Sequence, residues 1–270
     1  MSLPLLPVFA AWRQTLKAGY SFKALRGDLA AGLTVGIIAI PLAMALAIAV
    51  GVAPQYGLYT VLVAAPLIAL TGGSRFNVSG PTAAFVVILL PITQQFGLGG
   101  LLLCTMLAGL IMIAMGLGRA GRLIEFVPYP VTLGFTAGIG IVIATLQLKD
   151  LFGLSLSSQP LHYLEQVQVL LLALPSAHLG DALVAALSLA VLILWPRWVP
   201  KVPGHLAALA VGTLAGLALE ALGIPLATLG ERFSYSLDGV LHAGIPPFLP
   251  DFAWPWQLPA ANGQPLGLSF

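Results

Sequence analysis

Charge is what this sequence has least of: Lys, Arg, Asp and Glu make up 7% of its 270 residues, while 59% are hydrophobic and the mean hydropathy is +1.01. That balance excludes a soluble globular domain and leaves an all-α integral membrane protein. Cysteine is nearly absent too. The single one, Cys104, sits in mid-span, which excludes a disulfide framework and a thiolate metal site and reads as a small apolar filler. The four histidines, His162, His178, His205 and His242, fall in loops or at span ends without ligand spacing, and Ser74 and Ser79 have no evident base. An intramembrane enzyme would need a nucleophile with its base, or metal ligands, so the chain does not read as an enzyme and implies no metal and no cofactor. Its basic residues are scattered over short loops and form no clustered patch of the kind nucleic acid needs.

What is present is hydrocarbon in span-sized lengths. Seven segments meet or nearly meet the requirement of about 20 apolar residues per crossing: Leu29 to Val50, Pro54 to Leu70, Val78 to Phe96, Leu98 to Leu117, Phe126 to Leu148, Ala182 to Val199 and Leu206 to Leu222. Cytoplasmic loops retain Lys and Arg. With the N-terminus inside, Arg13, Lys17, Lys23, Arg26, Arg75, Arg119, Arg122, Arg197 and Lys201 are cytoplasmic, and only Lys149 and Arg232 are not. Residues 1–28 read as a cytoplasmic arm, 29–222 as the membrane region and 223–270 as an extracytoplasmic loop. The stretch Met1 to Ala11 lacks the charged start and cleavage site of a signal peptide, and the basic segment Arg13 to Arg26 suits a surface arm against anionic lipid.

The stretch Asn77-Val78-Ser79-Gly80-Pro81-Thr82 interrupts this pattern with helix-breaking, polar residues. Lipid offers backbone groups no hydrogen bonds, so an unwound segment at membrane depth must be buried in protein or line a wet cavity. Phe76 to Ser79 reads as short and β-like, and Ala83 to Leu90 as a half-helix that starts near the midplane. With Gly80 as N-cap and Pro81 in the first helical position, the free amides would belong to Thr82, Ala83 and Ala84. Three amides at the positive end of a helix dipole make an anion site. The competing reading is a kink kept for packing, since Gly and Pro are both common in membrane helices.

A second interruption is expected at Pro41, where the Ile37 carbonyl loses its partner. Paired interruptions at one depth point to a transporter site. Small residues recur four apart at Gly32 and Gly36, Gly134 and Gly138, and Gly212 and Gly216, the spacing of close helix packing. Leu161 to Leu174 is loosely amphipathic and suits the outer interface. Thr228 to Pro259, rich in Pro, Gly, Trp and charge, reads as an irregular loop, with Trp254 and Trp256 as interface anchors.

Pro54-Gln55-Tyr56-Gly57-Leu58-Tyr59-Thr60, followed by Gly72-Gly73-Ser74-Arg75, resembles the signature of the SulP (sulfate permease) family of anion transporters, departing from it at Val61 and Pro66. Ile40-Pro41, Ser79-Gly80-Pro81, Glu125-Phe126-Val127-Pro128 and Gly244-Ile245-Pro246 are similar to further landmarks of that family, in order. The resemblance covers roughly Leu25 to Pro250, and the first three spans most resemble the bacterial branch that carries C4-dicarboxylates.

The resemblance implies a fourteen-span fold of two inverted seven-span repeats, with a core domain and a gate domain, commonly a homodimer and followed by a cytoplasmic STAS domain. This chain would supply the first repeat only, with a broken third span, spans one to four in the core part and five to seven in the gate part, and no STAS domain. It would be the amino-terminal half of a secondary active transporter in a bacterial inner membrane, working by elevator-like movement, with a C4-dicarboxylate as the expected anion and sulfate, bicarbonate or another inorganic anion as the alternative. A non-transporting membrane bundle is the further alternative. The implied substrate-binding positions are Pro41, Leu42 and Leu46 on the first span and Ser79, Gly80, Thr82, Ala83 and Ala84 on the third. Leu42 departs from the Gln often found at its position in the family.

Overall fold

The computed structural model describes residues 9–74, 76–80, 82–156, 160, 162–200, 202–226, 228–237, 240–248 and 253–258. Among the described residues, six helices are long and apolar enough to cross a membrane. The chain divides into two compact units: residues 1–139 with 248–270, and residues 140–247.

The first unit opens with a short helix, α1 (Ala10–Lys17), and a long one, α2 (Phe22–Ala49). Ser21, in extended conformation, caps α2 by accepting the Ala24 amide at 3.2 Å. The first long helix therefore begins at Phe22 rather than Leu29. It also runs unbroken through Pro41, so the expected opening at that residue is not there. The loss of one amide donor and the ring's crowding of one carbonyl are local faults that the apolar turns on either side outweigh.

A glycine ends α2. Gly51 takes φ +83°, and the Val52 and Gly51 amides reach back to the Ala47 and Ile48 carbonyls at 3.0 and 2.9 Å, a Schellman closure. The turn leads into α3 (Pro54–Thr71), with Pro54 in the first helical position, where its missing amide costs nothing. The two helices pack backbone to backbone at Gly57. A Cβ placed there would stand 2.1 Å from the Ala43 carbonyl oxygen, and Ala43 is fully buried. Ala43, Leu46, Ala47 and Val50, spaced i, i+3, i+4 and i+7, make one buried face of α2.

After α3 the described residues Phe76 to Gly80 are irregular, and no strand forms at the β-like segment. One turn of 3-10 helix (Ala83–Phe85) then leads into α4 (Val86–Leu117). Within α4, Gly97 adopts φ 66° and ψ −166°, a conformation open in practice only to glycine. The Phe96 side chain folds so tightly over the next turn that a Cβ on Gly100 would lie 2.2 Å from its own Cβ. The continuous stretch Ala83–Leu117 is thus two helices meeting at Gly97, where the sequence reading had separated two spans. A 3-10 turn at Pro255–Gln257 packs on α4, with Pro255 buried and Trp254 and Trp256 stacked at 4.9 Å.

The fifth long helix, α5 (Tyr129–Leu151), passes from one unit into the other and has no buried residue. In the second unit, α6 (Tyr163–Ala173) lies within the segment expected to be amphipathic, with Leu170 buried and Leu164 and Leu171 exposed, and α7 (Leu179–Trp198) and α8 (Gly204–Ala221) pack against each other. Gly212 faces Ser188 across that contact, whereas nothing stands within 4 Å of Gly32, Gly36, Gly134 or Gly138. Of the three small-residue pairs, only the last finds a helix to pack on among the described residues.

The expected irregular loop is partly ordered. A capped turn, α9 (Leu229–Arg232), precedes an antiparallel hairpin of β1 (Ser234–Leu237) and β2 (Val240–Ala243), in which Tyr235 stacks on His242 at 5.4 Å. The sequence signal was Asp238-Gly239, two turn-forming residues between strand-like runs. Those two residues lie outside the described ones, as do Arg75, Pro81 and Lys201.

Candidate functional site

Thr82, extended at φ −125° and ψ 136°, is the N-cap, and its hydroxyl oxygen accepts the Ala84 amide at 3.4 Å. This corrects the expectation that Gly80 caps the helix: a hydroxyl two residues before an orphan amide is a better acceptor than a glycine, which has none. The Phe85 amide is turned onto the Thr82 carbonyl at 3.3 Å. Of the three amides expected to be free, Thr82 now precedes the helix, Ala84 is held by a long bond, and Ala83 is left as the first-turn donor without a recorded acceptor among the described residues.

Ser79, Ala83 and Ala84 are half-buried and Gly80 and Thr82 exposed, so the cap opens outward from the first unit. On α2, Pro41 is half-buried and Leu42 exposed, whereas Leu46 belongs to the buried face. Among the described residues, no hydrogen bond joins Pro41 or Leu42 to the α4 entry.

What joins the two helices lies higher. The Thr93 hydroxyl donates to the Val50 carbonyl. The same oxygen stands 2.7 Å from the Leu89 carbonyl, so the hydroxyl also touches its own helix. Thr93 is the only polar residue among the described ones in the buried set, at 7% exposure. Gly51 is packed beside it, its Cβ position 3.5 Å from Leu90 Cδ1. From this contact, Pro41 lies nine residues back along α2 and Ala83 ten residues back along the α4 entry, about 14 and 15 Å of helix respectively. Two expected site elements thus lie at similar helix lengths from one shared anchor. Sequence reasoning missed Thr93; the available signal was a lone hydroxyl at the end of the apolar run Val86 to Ile92.

The signature aromatics also hold the unit together. Tyr56 and Tyr59 meet edge to face at 6.1 Å, and the Tyr59 hydroxyl donates to the Phe248 carbonyl at 3.0 Å. A cavity of about 420 Å³ lined by Ser155, Val169, Leu172, Ala173, Pro175 and Ser176 belongs to the second unit, whereas the expected site residues all belong to the first. None of the expected site residues lines it, and the helix entry remains the candidate.

Long apolar helices, one of them entered through irregular polar backbone, define a multi-pass membrane protein. Residues 25–259 match the model of the sulfate permease family, and the chain belongs to that family. It is 38% identical over 237 residues to the putative sulfate transporter YvdB of Bacillus subtilis, an alignment covering 88% of this chain and 43% of that protein. It is 34% identical over 257 residues to the sodium-independent sulfate anion transporter of Bos taurus, covering 90% and 42%. The solved transmembrane domain of a cyanobacterium bicarbonate transporter, BicA, superimposes with a TM-score of 0.66 at 29% identity, covering 82% of this chain and 57% of that one. The chain spans less than half the length of the two relatives named first. Those names are of sulfate and bicarbonate transporters, and none of the three is named for a C4-dicarboxylate, the anion expected from the first three spans.

Proposed function

We propose that this chain is the first seven-span repeat of an inorganic-anion transporter, carrying sulfate or bicarbonate, with the anion at the entry to α4. The observation that carries this reading is the Val50–Thr93 anchor, which sets Pro41 and the Ala83 helix start at matching distances along their helices. Ten residues of helix is about 15 Å, half of a hydrocarbon core about 30 Å thick. With Val50 at one membrane surface, the entry falls near the midplane. The stretch Ala83–Leu117, about 52 Å if straight, is too long for one crossing and is folded at Gly97 into two, which makes seven.

The chemistry is noncovalent. The Thr82 oxygen occupies the place an anion oxygen would take on the Ala84 amide, at a distance that marks a weak bond. An arriving oxyanion takes that amide and the Ala83 amide, and the Thr82 hydroxyl, released from accepting, turns to donate with Ser79. A helix terminus is worth up to about 2 kcal/mol to an anion in favourable geometry. One half-site is therefore weak, and a second repeat would supply the other half, the coupling group and the partner for elevator-like movement of spans one to four against five to seven. Leu46, being buried, supports the site from behind, while Pro41 and Leu42 flank it. The N-terminus is cytoplasmic in this reading, the membrane a bacterial inner membrane, and the full-length assembly a homodimer.

The test is uptake into proteoliposomes by this chain joined to a family second repeat. Labelled sulfate or bicarbonate should accumulate, with succinate competing poorly. Uptake of succinate alone would restore the dicarboxylate reading and sink the inorganic one.

A further inference from the structure

We propose that α1 and the first turns of α2 form a surface for anionic phospholipid headgroups: Arg13, Lys17, Lys23 and Arg26 hold the phosphates while Trp12, Leu16 and Phe22 enter the membrane interface.

The placement follows from how α1 is tied down. The Phe9 amide donates to the Thr71 carbonyl at 3.2 Å, which fixes the start of α1 at the last turn of α3. Ala11 is buried, and the Thr15 hydroxyl returns to the Ala11 carbonyl at 2.9 Å, so the stripe of Ala11 and Thr15 is the one turned inward. One residue on, and so about 100° around the helix, Trp12 and Leu16 are more than half exposed, at 53% and 55%. A further step brings Arg13 and Lys17 into the next stripe, also exposed. Apolar and cationic stripes side by side are the pattern of a helix lying in the plane of an interface.

The level of this helix is set by its neighbours. Thr71 ends one spanning helix and Phe22, 82% exposed, begins another. The 28 residues of α2 run about 42 Å, more than the hydrocarbon core, so the turns from Phe22 to Asp28 reach into the headgroup layer. Lys23 and Arg26 lie on those turns. The acid among them, Asp28, accepts from the Tyr20 hydroxyl, and among the described residues none of the four cations has an ion pair. Four unpaired cations beside three exposed apolar side chains, at the level where spanning helices end, complement a negatively charged lipid surface.

The test uses the full chain in phosphatidylcholine nanodiscs, titrated with phosphatidylglycerol or phosphatidylcholine carrying a nitroxide near the interface. Trp12 is one of five tryptophans, so its quenching is read as the difference between the native chain and Trp12→Phe. The phosphatidylglycerol probe should quench Trp12 at a concentration at least fivefold lower than the phosphatidylcholine probe, the effect of about one interfacial cation. The preference should fade with added salt and vanish in Arg13→Gln/Lys17→Gln/Lys23→Gln/Arg26→Gln. Equal quenching by the two probes in the native chain, which needs no variant to fold, would overturn the proposal. So would a preference that survives neutralisation, or one that inorganic phosphate removes at an ionic strength where chloride does not, since that would mark a site for soluble anions.

Discussion

The Thr93 hydroxyl donates to the Val50 carbonyl, tying the C-cap of the first long helix to α4. Residues 43 positions apart share this bond. The Schellman closure satisfies the Ala47 and Ile48 carbonyls and leaves that of Val50 to Thr93. Thr93→Val, nearly the same shape, would leave this carbonyl unpaired at a cost of about 1–3 kcal/mol. Thermal unfolding in detergent should show a lower midpoint for Thr93→Val and a near-native one for Thr93→Ser.

Gly57 and Gly36 should respond in opposite ways to alanine. A Cβ at Gly57 would collide with the Ala43 backbone carbonyl, which cannot swing aside, whereas nothing stands within 4 Å of Gly36. Gly57→Ala is expected to lose about 1–3 kcal/mol by overpacking. Gly36→Ala should be neutral or slightly stabilising, because a helix interior favours alanine. Fluorescence-detected size exclusion after heating would rank the two.

Thr82 allows folding and anion binding to be separated. Aspartate is as good a helix N-cap as threonine or better, and its charge suits the helix dipole. Thr82→Asp should therefore keep the fold of the α4 entry while placing a negative charge where the substrate is proposed to sit. In the two-repeat transporter it should abolish anion uptake, and Thr82→Ala or Ser79→Ala should weaken it about fivefold, the equivalent of ~1 kcal/mol for a lost hydroxyl. Unchanged uptake by the aspartate variant would remove the site from this place.

Tyr20 carries a pH signature. Its hydrogen bond to the Asp28 carboxylate, reinforced by desolvation and by the Asp28 charge, holds the phenol above its ordinary pKa of 10.0. A raised folded-state value means that the contact stabilises the native arm below the unfolded phenol's pKa and is lost as pH climbs through the folded one. Ultraviolet titration of phenolate should show a late-ionising tyrosine that disappears in Tyr20→Phe and moves down in Asp28→Asn.

Most of the long helices could be read directly, because an apolar run of about 20 residues has few other uses; α5, α7 and α8 fall within three residues of their expected bounds. The α4 entry could be read as a break but not in detail. The rule placing proline in the first helical position drew attention to Gly80 and Pro81, while the structure chose the hydroxyl of Thr82, whose advantage is a side-chain acceptor. Pro41 misled because one lost hydrogen bond is too small a penalty to stop a helix with long apolar stretches on both sides. Thr93 could not be assigned a role from its neighbours, since its acceptor is distant in sequence. The glycine pairs announced close packing without saying against what. Only Gly212 has an answer within the described chain.

The backbone at Gly97 decides a matter of parity. Whether residues 83–117 traverse the bilayer once or twice determines which compartment every later residue faces. A residue with a Cβ resists φ 66° with ψ −166°, and a straightened helix would send Arg119 and Arg122 to the side that the proposed seven-span reading reserves for Asp150 and Asp181. The pair of dihedral angles at one glycine thus acts on loops far from it, and an error there would be inherited by the whole downstream topology rather than absorbed locally.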